Sequence, residues 1–275
     1  MIARRDLTTR LAARHELSPS CFLLELLAPD ELAAEPGQFG MLTCGTGLDP
    51  FLRRPFSLAG VRSAAEGTVV ELVVKAVGRG TRALRTLAHG SELRLLAPLG
   101  RGFDLALPRG GRVALVAGGI GLPPLLFAAE RLAATGVAFD LYLGATSAEE
   151  LLLVERCRRA AAAVGGEVVL ATDDGSAGER GLVTESFARR YGHAVAYATV
   201  LACGPTGMLA ALTELARARH IDLQLSLEEP MACGVGVCLG CVVTTADGRR
   251  KPSCTEGPVF RATELAQRWW TCESS

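Results

Sequence analysis

The sequence predicts an α+β, multi-domain chain: an antiparallel β-barrel or sandwich over residues 1–107, an α/β domain with a parallel sheet over 108–222, and a small C-terminal domain over 223–275. Three observations predict it. Short β-rich segments separated by turn signals fill the first part, a strand, loop, helix rhythm follows, and the last part carries the cysteine run Cys233, Cys238, Cys241 and Cys254. A length of 275 residues allows about two ordinary domains and an appendage.

In the first domain CFLLELLAP, PGQFGMLTC, RPFSLAGV, TVVELVVKAV and SELRLLAPLG are too short and too closely spaced for anything but antiparallel strands. In the second, RVALVA precedes a helix over 122–134, FDLYLGA precedes one over 148–163, and YATVLA precedes one over 206–219, with EVVLAT as a further strand. That alternation implies a parallel sheet covered on both faces. The alanine-rich RRAAAAVGG ends a helix at Gly165 and Gly166 rather than forming a linker. After the strand-like LQLSLE comes the cysteine loop MACGVGVCLGCVVTTADGRRKPSC.

Composition narrows the class. Net charge is zero, Lys75 and Lys251 are the only lysines among 29 basic residues, and no basic tail points to nucleic acid. The start MIARRDLTTRLAARHEL has no apolar run of a signal peptide, and no stretch is long enough for a transmembrane helix, so a cytoplasmic, membrane-free protein is expected.

Four thiols in a glycine-rich loop can converge on one inorganic site. Their spacing, Cys-x4-Cys-x2-Cys and a distal cysteine, fits plant-type [2Fe-2S] centres, where Gly234, Gly236 and Gly240 would let amides turn toward sulfur. A structural tetrahedral zinc is the competing reading, although zinc loops usually pair two Cys-x2-Cys knuckles and this loop has one. Cys21, Cys44, Cys157, Cys203 and Cys272 are scattered and suggest no disulfide framework.

The first domain carries two motifs that suit a flavin. In Arg54-Pro55-Phe56-Ser57 a rigid proline holds an extended strand, so that an arginine able to pair with a diphosphate stands near an aromatic and a hydroxyl. Val73-Val74-Lys75 then leads to Gly78-Arg79-Gly80-Thr81 at the start of a helical segment, where exposed amides favour phosphate. In the second domain the strand before Gly118-Gly119-Ile120-Gly121 and the one ending in Cys203-Gly204-Pro205 open the same sheet edge. Small residues there let a nucleotide approach the backbone, although this is not the Gly-x-Gly-x-x-Gly fingerprint. Each motif alone also reads as an ordinary turn.

In that order the motifs resemble the ferredoxin reductase superfamily. The cysteine loop, the segment TDDGSAGERGLVT and the closing CTEGPVF are similar, within it, to the electron-transfer subunits of class B, NAD-linked dihydroorotate dehydrogenases. The resemblance implies an FAD-binding β-barrel, an NAD-binding α/β domain and a [2Fe-2S] cluster domain. It implies FAD at Arg54, Pro55, Phe56 and Ser57, with Val73, Val74 and Lys75 near its ring and Gly80 and Thr81 on its pyrophosphate. NAD would face Gly118, Gly119, Ile120, Gly121, Cys203, Gly204 and Pro205, and Cys233, Cys238, Cys241 and Cys254 would ligate the cluster. Phe56 departs from the tyrosine common in the superfamily, which keeps the stacking surface and loses a hydroxyl.

The implied function is electron transfer, and nothing in the chain looks like an orotate site. A partner subunit containing FMN oxidises dihydroorotate in pyrimidine biosynthesis, electrons cross the cluster to FAD, and FAD reduces NAD+, in a heterotetramer of two plus two. A nicotinamide moves two electrons and a cluster one, so a flavin must stand between them. The alternatives are an NAD(P)H to ferredoxin oxidoreductase subunit of a bifurcating enzyme, sulfite reductase or hydrogenase, and, in another class, a zinc-stabilised non-redox scaffold. NAD is expected over NADP. Glu149 and Glu150 follow the second parallel strand, where a 2′-phosphate would need a cation; either could accept from the free ribose hydroxyl, or both could be a solvated first helical turn, and the first arginine downstream is Arg156.

Overall fold

Alternating apolar and polar residues build the first domain of the computed structural model, which describes residues 4–45, 49–106, 110–191 and 197–271. Its strands are β1 (Arg5–Glu16), β2 (Cys21–Ala28), β3 (Phe39–Leu42), β4 (Arg54–Ala64), β5 (Gly67–Lys75) and β6 (Glu92–Leu99), with helix α1 (Arg79–Arg85) between the last two. They close into a barrel in the order β1-β2-β5-β4-β3-β6, all neighbours antiparallel, so no strand edge is left open. The sequence reading passed over β1. Its signal is the alternation of buried Leu7, Thr9 and Leu11 with exposed Thr8 and Arg10, diluted by charged residues. Phe22, Leu24, Leu26, Val70, Leu72 and Val74 fill the barrel interior.

The second sheet runs β7 (Arg112–Gly118), β8 (Phe139–Ala145), β9 (Val168–Thr172), β10 (Glu179–Arg180), β11 (Tyr197–Cys203) and β12 (Leu223–Ser226), all parallel to their neighbours in the order β10-β9-β8-β7-β11-β12. Helices α2 (Leu122–Ala134) and α3 (Val154–Ala162) cover one face, and α4 (Val183–Arg190) and α5 (Thr206–Arg219) the other. Strand periodicity shows this directly. Val113, Leu115 and Ala117 pack with Leu125, Leu126 and Cys157, while Ala114 and Val116 pack with Phe187, Leu209 and Leu212. At the amino end of the sheet Arg112 grips Asp140 through two bonds of 2.7 and 2.6 Å, and Tyr197 donates to the same carboxylate at 2.9 Å. The carboxyl ends are left for a ligand.

The helix expected over 148–163 begins only at Val154. A short 3-10 turn spans Ala148–Glu150, and Leu153 takes a left-handed φ of 50°, which breaks the helical run. Helix α4, for which the sequence gives no expectation, starts at the last two residues of the TDDGSAGERGLVT segment and runs on to Arg190.

The last segment forms β13 (Val242–Thr244), β14 (Arg250–Pro252), α6 (Ser253–Glu256) and β15 (Val259–Arg261). Strand β15 joins the nucleotide-domain sheet antiparallel to β12, so this segment is stitched into its neighbour. It also meets the barrel, where Arg101 N donates to Gly257 O. The expected boundary at 107/108 lies outside the described residues, as does Cys272. Among the described residues no helix is long and apolar enough to cross a membrane.

Candidate functional site

The cysteine loop connects β12 to β13, and its glycines do what close wrapping around a sulfur site requires. Gly234 and Gly236 have φ of 70° and 84°, values that cost other residues steric strain. This turns amides toward thiols: Val235 N donates to Cys233 Sγ at 3.4 Å, Gly236 N to Cys254 Sγ at 3.1 Å, and Cys254 N to Cys241 Sγ at 3.4 Å. The Val235 amide, aided by those of Cys238 and Val237, draws the Cys233 thiol down to about 6. Burial and the neighbouring Cys241 thiol push Cys254 up to about 12.

All four thiols neighbour one another in this loop: Cys233 is close to Cys238, Cys254 to Cys241, and the Gly236 amide of the Cys233 turn reaches Cys254 Sγ. Among the described residues no three His, Cys, Asp or Glu side chains close around a single ion. Amides that donate to sulfur suit the thiolates of an iron-sulfur cluster, whose charge they ease.

Burial grades across the loop. Cys241 and Cys254 are buried against Phe39, Met41 and Leu99 of β3 and β6, Cys233 is half-buried, and Cys238 is exposed. A Cβ on Gly234 would lie 2.5 Å from Met41 Cγ, so the loop sits directly on the barrel. Val237 and Leu239, on either side of Cys238, are 79% and 59% exposed, an apolar tip around the most accessible thiol.

The two barrel motifs come together at one mouth. The β4–β5 ladder runs inward from Leu58 opposite Leu72, and neither Arg54 to Ser57 nor Val73 to Lys75 is paired across it, so the two strands splay at that end. On its other side β4 stays paired to β3, with Pro55 opposite Met41 and Ser57 opposite Phe39. The splay fits the edge of a planar ring, because it leaves backbone groups unspent in a gap. Val74 points into the barrel and Val73 toward α2, both buried, which leaves Lys75 as the polar side chain there.

Arg54 reaches the start of α1. A Cβ on Gly80 would lie 3.0 Å from Cys44 Sγ and 3.5 Å from Arg54 Nε, so only glycine leaves that approach open. Arg54 is steadied by donation to Leu52 O at 2.7 Å. The Thr81 hydroxyl accepts from the amides of Val77 and Gly78 at 3.1 and 3.0 Å and so shapes the turn itself; the first-turn amides are what remain for a phosphate.

Gly118 to Gly121 and Cys203 to Pro205 form one crevice at the carboxyl ends of adjacent strands β7 and β11. A Cβ on Gly121 would fall 2.6 Å from Gly204 N and closer still to the Cys203 carbonyl. Gly204 in turn lies against Gly118, a Cβ there being 3.0 Å from Gly118 N. Ile120 is half-buried at the mouth, and Pro123 and Pro124 begin α2 without spending donors that a first turn could not use. Burial pushes the Cys203 thiol up to about 12, so it stays a neutral group beside the crevice.

The acidic pair after β8 divides. Glu149 is exposed, whereas Glu150 takes Lys75 Nζ at 3.4 Å and Thr146 Oγ1 at 3.1 Å, bridging the two domains. Arg156 is engaged by Glu71 and Glu130. Sequence reasoning missed the apolar seat of Phe39, Met41 and Leu99, and the exposed Val237 and Leu239. The latter pair had a signal, since large aliphatics flanking a presumed ligand in a polar loop have no core to enter.

Comparison with known proteins agrees with this geometry. Residues 228–266 match the iron-sulfur cluster binding domain of dihydroorotate dehydrogenase B, and residues 115–214 match an oxidoreductase NAD-binding domain. The "Dihydroorotate dehydrogenase B (NAD(+)), electron transfer subunit" of Desulforamulus reducens is 38% identical over 255 residues, covering 91% of this chain and 94% of that protein. The protein of the same name from Geobacillus thermodenitrificans is 41% identical, covering 88% and 91%. Among solved structures, an NADH-dependent reduced ferredoxin-NADP oxidoreductase involved in flavin-based electron bifurcation superposes with a TM-score of 0.81 at 27% identity, covering 95% of this chain and 90% of that one. The ferredoxin reductase of carbazole 1,9a-dioxygenase, at 19% identity and a TM-score of 0.70 over 82% and 69% of the two chains, shares the fold. The bifurcating enzyme thus shares the architecture, while the sequence relatives and the cluster-domain match favour one function over the alternatives. With relatives this similar over nearly its whole length, the chain belongs to the family of electron transfer subunits of dihydroorotate dehydrogenase B (NAD(+)).

Proposed function

We propose that this chain carries electrons between a catalytic subunit that oxidises dihydroorotate and NAD+, using a [2Fe-2S] cluster, FAD and the nicotinamide crevice in that order. The observation that carries the reading is the contact of the cysteine loop with β3. Cys241 and Cys254 rest on Phe39 and Met41, whose partners across the ladder are Ser57 and Pro55 of the flavin motif. The supported path therefore runs through adjacent strands with no solvent gap. We keep three functional parts, 1–107 for FAD, 108–222 for NAD and 223–275 for the cluster, although β12 and β15 tie the last two into one sheet.

The residues have distinct tasks in this reading. Cys233 and Cys238 would hold one iron and Cys241 and Cys254 the other, with the Val235, Gly236 and Cys254 amides easing negative charge on sulfur. Arg54 and the Gly80 and Thr81 amides would hold the FAD diphosphate, while Pro55, Phe56, Ser57, Val73, Val74 and Lys75 would border the ring. Gly118, Gly119, Ile120 and Gly121, with Cys203, Gly204 and Pro205, would let the nicotinamide nucleotide lie on bare backbone. Bound FAD supplies the exchange between single electrons and hydride. The partner would contain FMN, dock on the Val237 and Leu239 tip beside Cys238, and assemble two plus two in the cytoplasm.

Arg54→Ala should weaken FAD retention by about ten- to a hundredfold, since a charge-assisted phosphate contact contributes about 1.5–3 kcal/mol. Flavin content after extensive dialysis, on protein with unchanged circular dichroism, is the check, and full occupancy would contradict the role.

NADH should reduce the flavin faster than NADPH at equal concentration. Glu149, Asp173 and Asp174 stand at the carboxyl ends of β8 and β9, where a 2′-phosphate would meet like charge, and Arg156 is already engaged by two carboxylates. Of the two carboxylates that could accept from the ribose hydroxyl, Glu150 already faces Lys75 and Glu149 is exposed. Faster reduction by NADPH would overturn this specificity.

A further inference from the structure

We propose that Arg156 is a positioning residue that sets the spacing between the flavin and the nicotinamide crevice. Its guanidinium holds two carboxylates from different domains. Arg156 Nη1 lies 2.8 Å from Glu71 Oε2 on β5, while Nε and Nη2 meet Glu130 Oε1 on α2 at 3.0 and 2.8 Å. Strand β5 ends at Lys75 by the splayed flavin mouth, and α2 begins at the Gly119 to Gly121 turn, so this one side chain ties the element that borders the ring to the element that presents the nucleotide turn.

The apolar part of that junction is a buried cluster of Cys21, Leu23, Ala59 and Val73 from the barrel with Leu122, Leu125 and Leu126 of α2. Phe127 and Arg131 of α2 also reach the barrel, Phe127 within its core and Arg131 Nη2 to Ala34 O at 3.3 Å. Beside them lies a cleft of about 200 Å³ bordered by Gly60, Arg62, Glu71, Glu130, Arg131 and Arg156, so at this edge of the apolar interface the ion bridge is what spans the gap. Gly60 is part of the arrangement, since a Cβ there would lie 2.9 Å from Glu71 Oε2. Without Arg156, Glu71, which is 7% exposed, would keep only the more distant Arg62, whose Nε lies 3.9 Å from Oε1, and would face Glu130 across the junction without the cation that joins them. Hydride transfer from NADH to FAD, giving NAD+ and the two-electron-reduced flavin anion, needs donor and acceptor atoms close and aligned, so a small change in this spacing acts on its rate.

The inference rests on the cofactor placement proposed above. The experiment compares parent, Arg156→Met and Arg156→Lys chains. In Arg156→Met, FAD and iron content and the Kd for NAD+ should stay within about twofold, while stopped-flow flavin reduction by NADH slows about tenfold and the long-wavelength flavin–nicotinamide charge-transfer absorbance weakens. Arg156→Lys should recover part of the rate. Hydrogen exchange, which needs no cofactor, should speed up in residues 67–75 and 122–134 of Arg156→Met. Unchanged reduction rate and charge-transfer absorbance at full FAD content would refute the positioning role. A parent chain that takes up no FAD would instead refute the cofactor placement, and unchanged exchange in both segments would then refute the clamp. If Arg156→Met does not fold, Arg156→Lys with parent-like rates decides against the proposal and a slowed rate supports it.

Discussion

Cys238→Ser is expected to lose the [2Fe-2S] electron paramagnetic signal while FAD stays bound, and orotate-dependent NADH oxidation with the catalytic partner should fall by more than about 100-fold. The magnitude follows because even outer partners of a metal site are worth about 10–100-fold, and this substitution removes a ligand. Cys238 is the informative position because it is exposed. Cys241 and Cys254 are packed on Phe39, Met41 and Leu99, so changing them would disturb the barrel and the flavin mouth as well. Direct flavin reduction by NADH should therefore survive in Cys238→Ser. A full-intensity cluster signal would sink the ligand assignment, and loss of FAD together with the cluster would show that the two sites fold as one.

Gly121→Ala should be the most damaging glycine-to-alanine change at the two nucleotide turns. Its new methyl would meet the Cys203 carbonyl and the Gly204 amide, both backbone, which cannot swing aside. Overpacking of this kind costs about 1–3 kcal/mol, and separating the two turns should lower NAD+ affinity by about ten- to a hundredfold. Gly207→Ala is the matched control. It lies in α5 with nothing within 4 Å of its Cβ position, so it should be neutral or slightly stabilising. Calorimetry and NAD+ titration of both variants would give equal values if the close approach at Gly121 had no consequence.

Local pattern decided which parts of this molecule were legible in its sequence. The helices over 122–134 and 206–219 lie where expected, because a glycine or proline marks each start and an apolar stripe fixes each length. The iron-sulfur domain was legible for the same reason: three of its thiols fall within nine residues, inside the 228–266 match. Pairing between distant segments was not legible. That Gly80 rests on Cys44 and Arg54, or that β15 completes a sheet begun at β7, depends on contacts across tens to more than a hundred residues. Strand β1 hid because a barrel strand with one solvated face needs few apolar residues. The pairing of Glu150 with Lys75 across the two domains has no signal in sequence, because a surface acid gives no sign there of what will stand opposite it.

The central claim is that electrons pass through this chain between a dihydroorotate-oxidising partner and a nicotinamide. The most direct measurement is orotate-dependent oxidation of NADH by this chain co-purified with the catalytic subunit. Cys238→Ser and each subunit alone serve as controls. The account predicts activity in the complex, none in either subunit alone, and loss in the variant despite intact flavin reduction. Equal activity from the catalytic subunit alone, or an undiminished rate with Cys238→Ser, would contradict it.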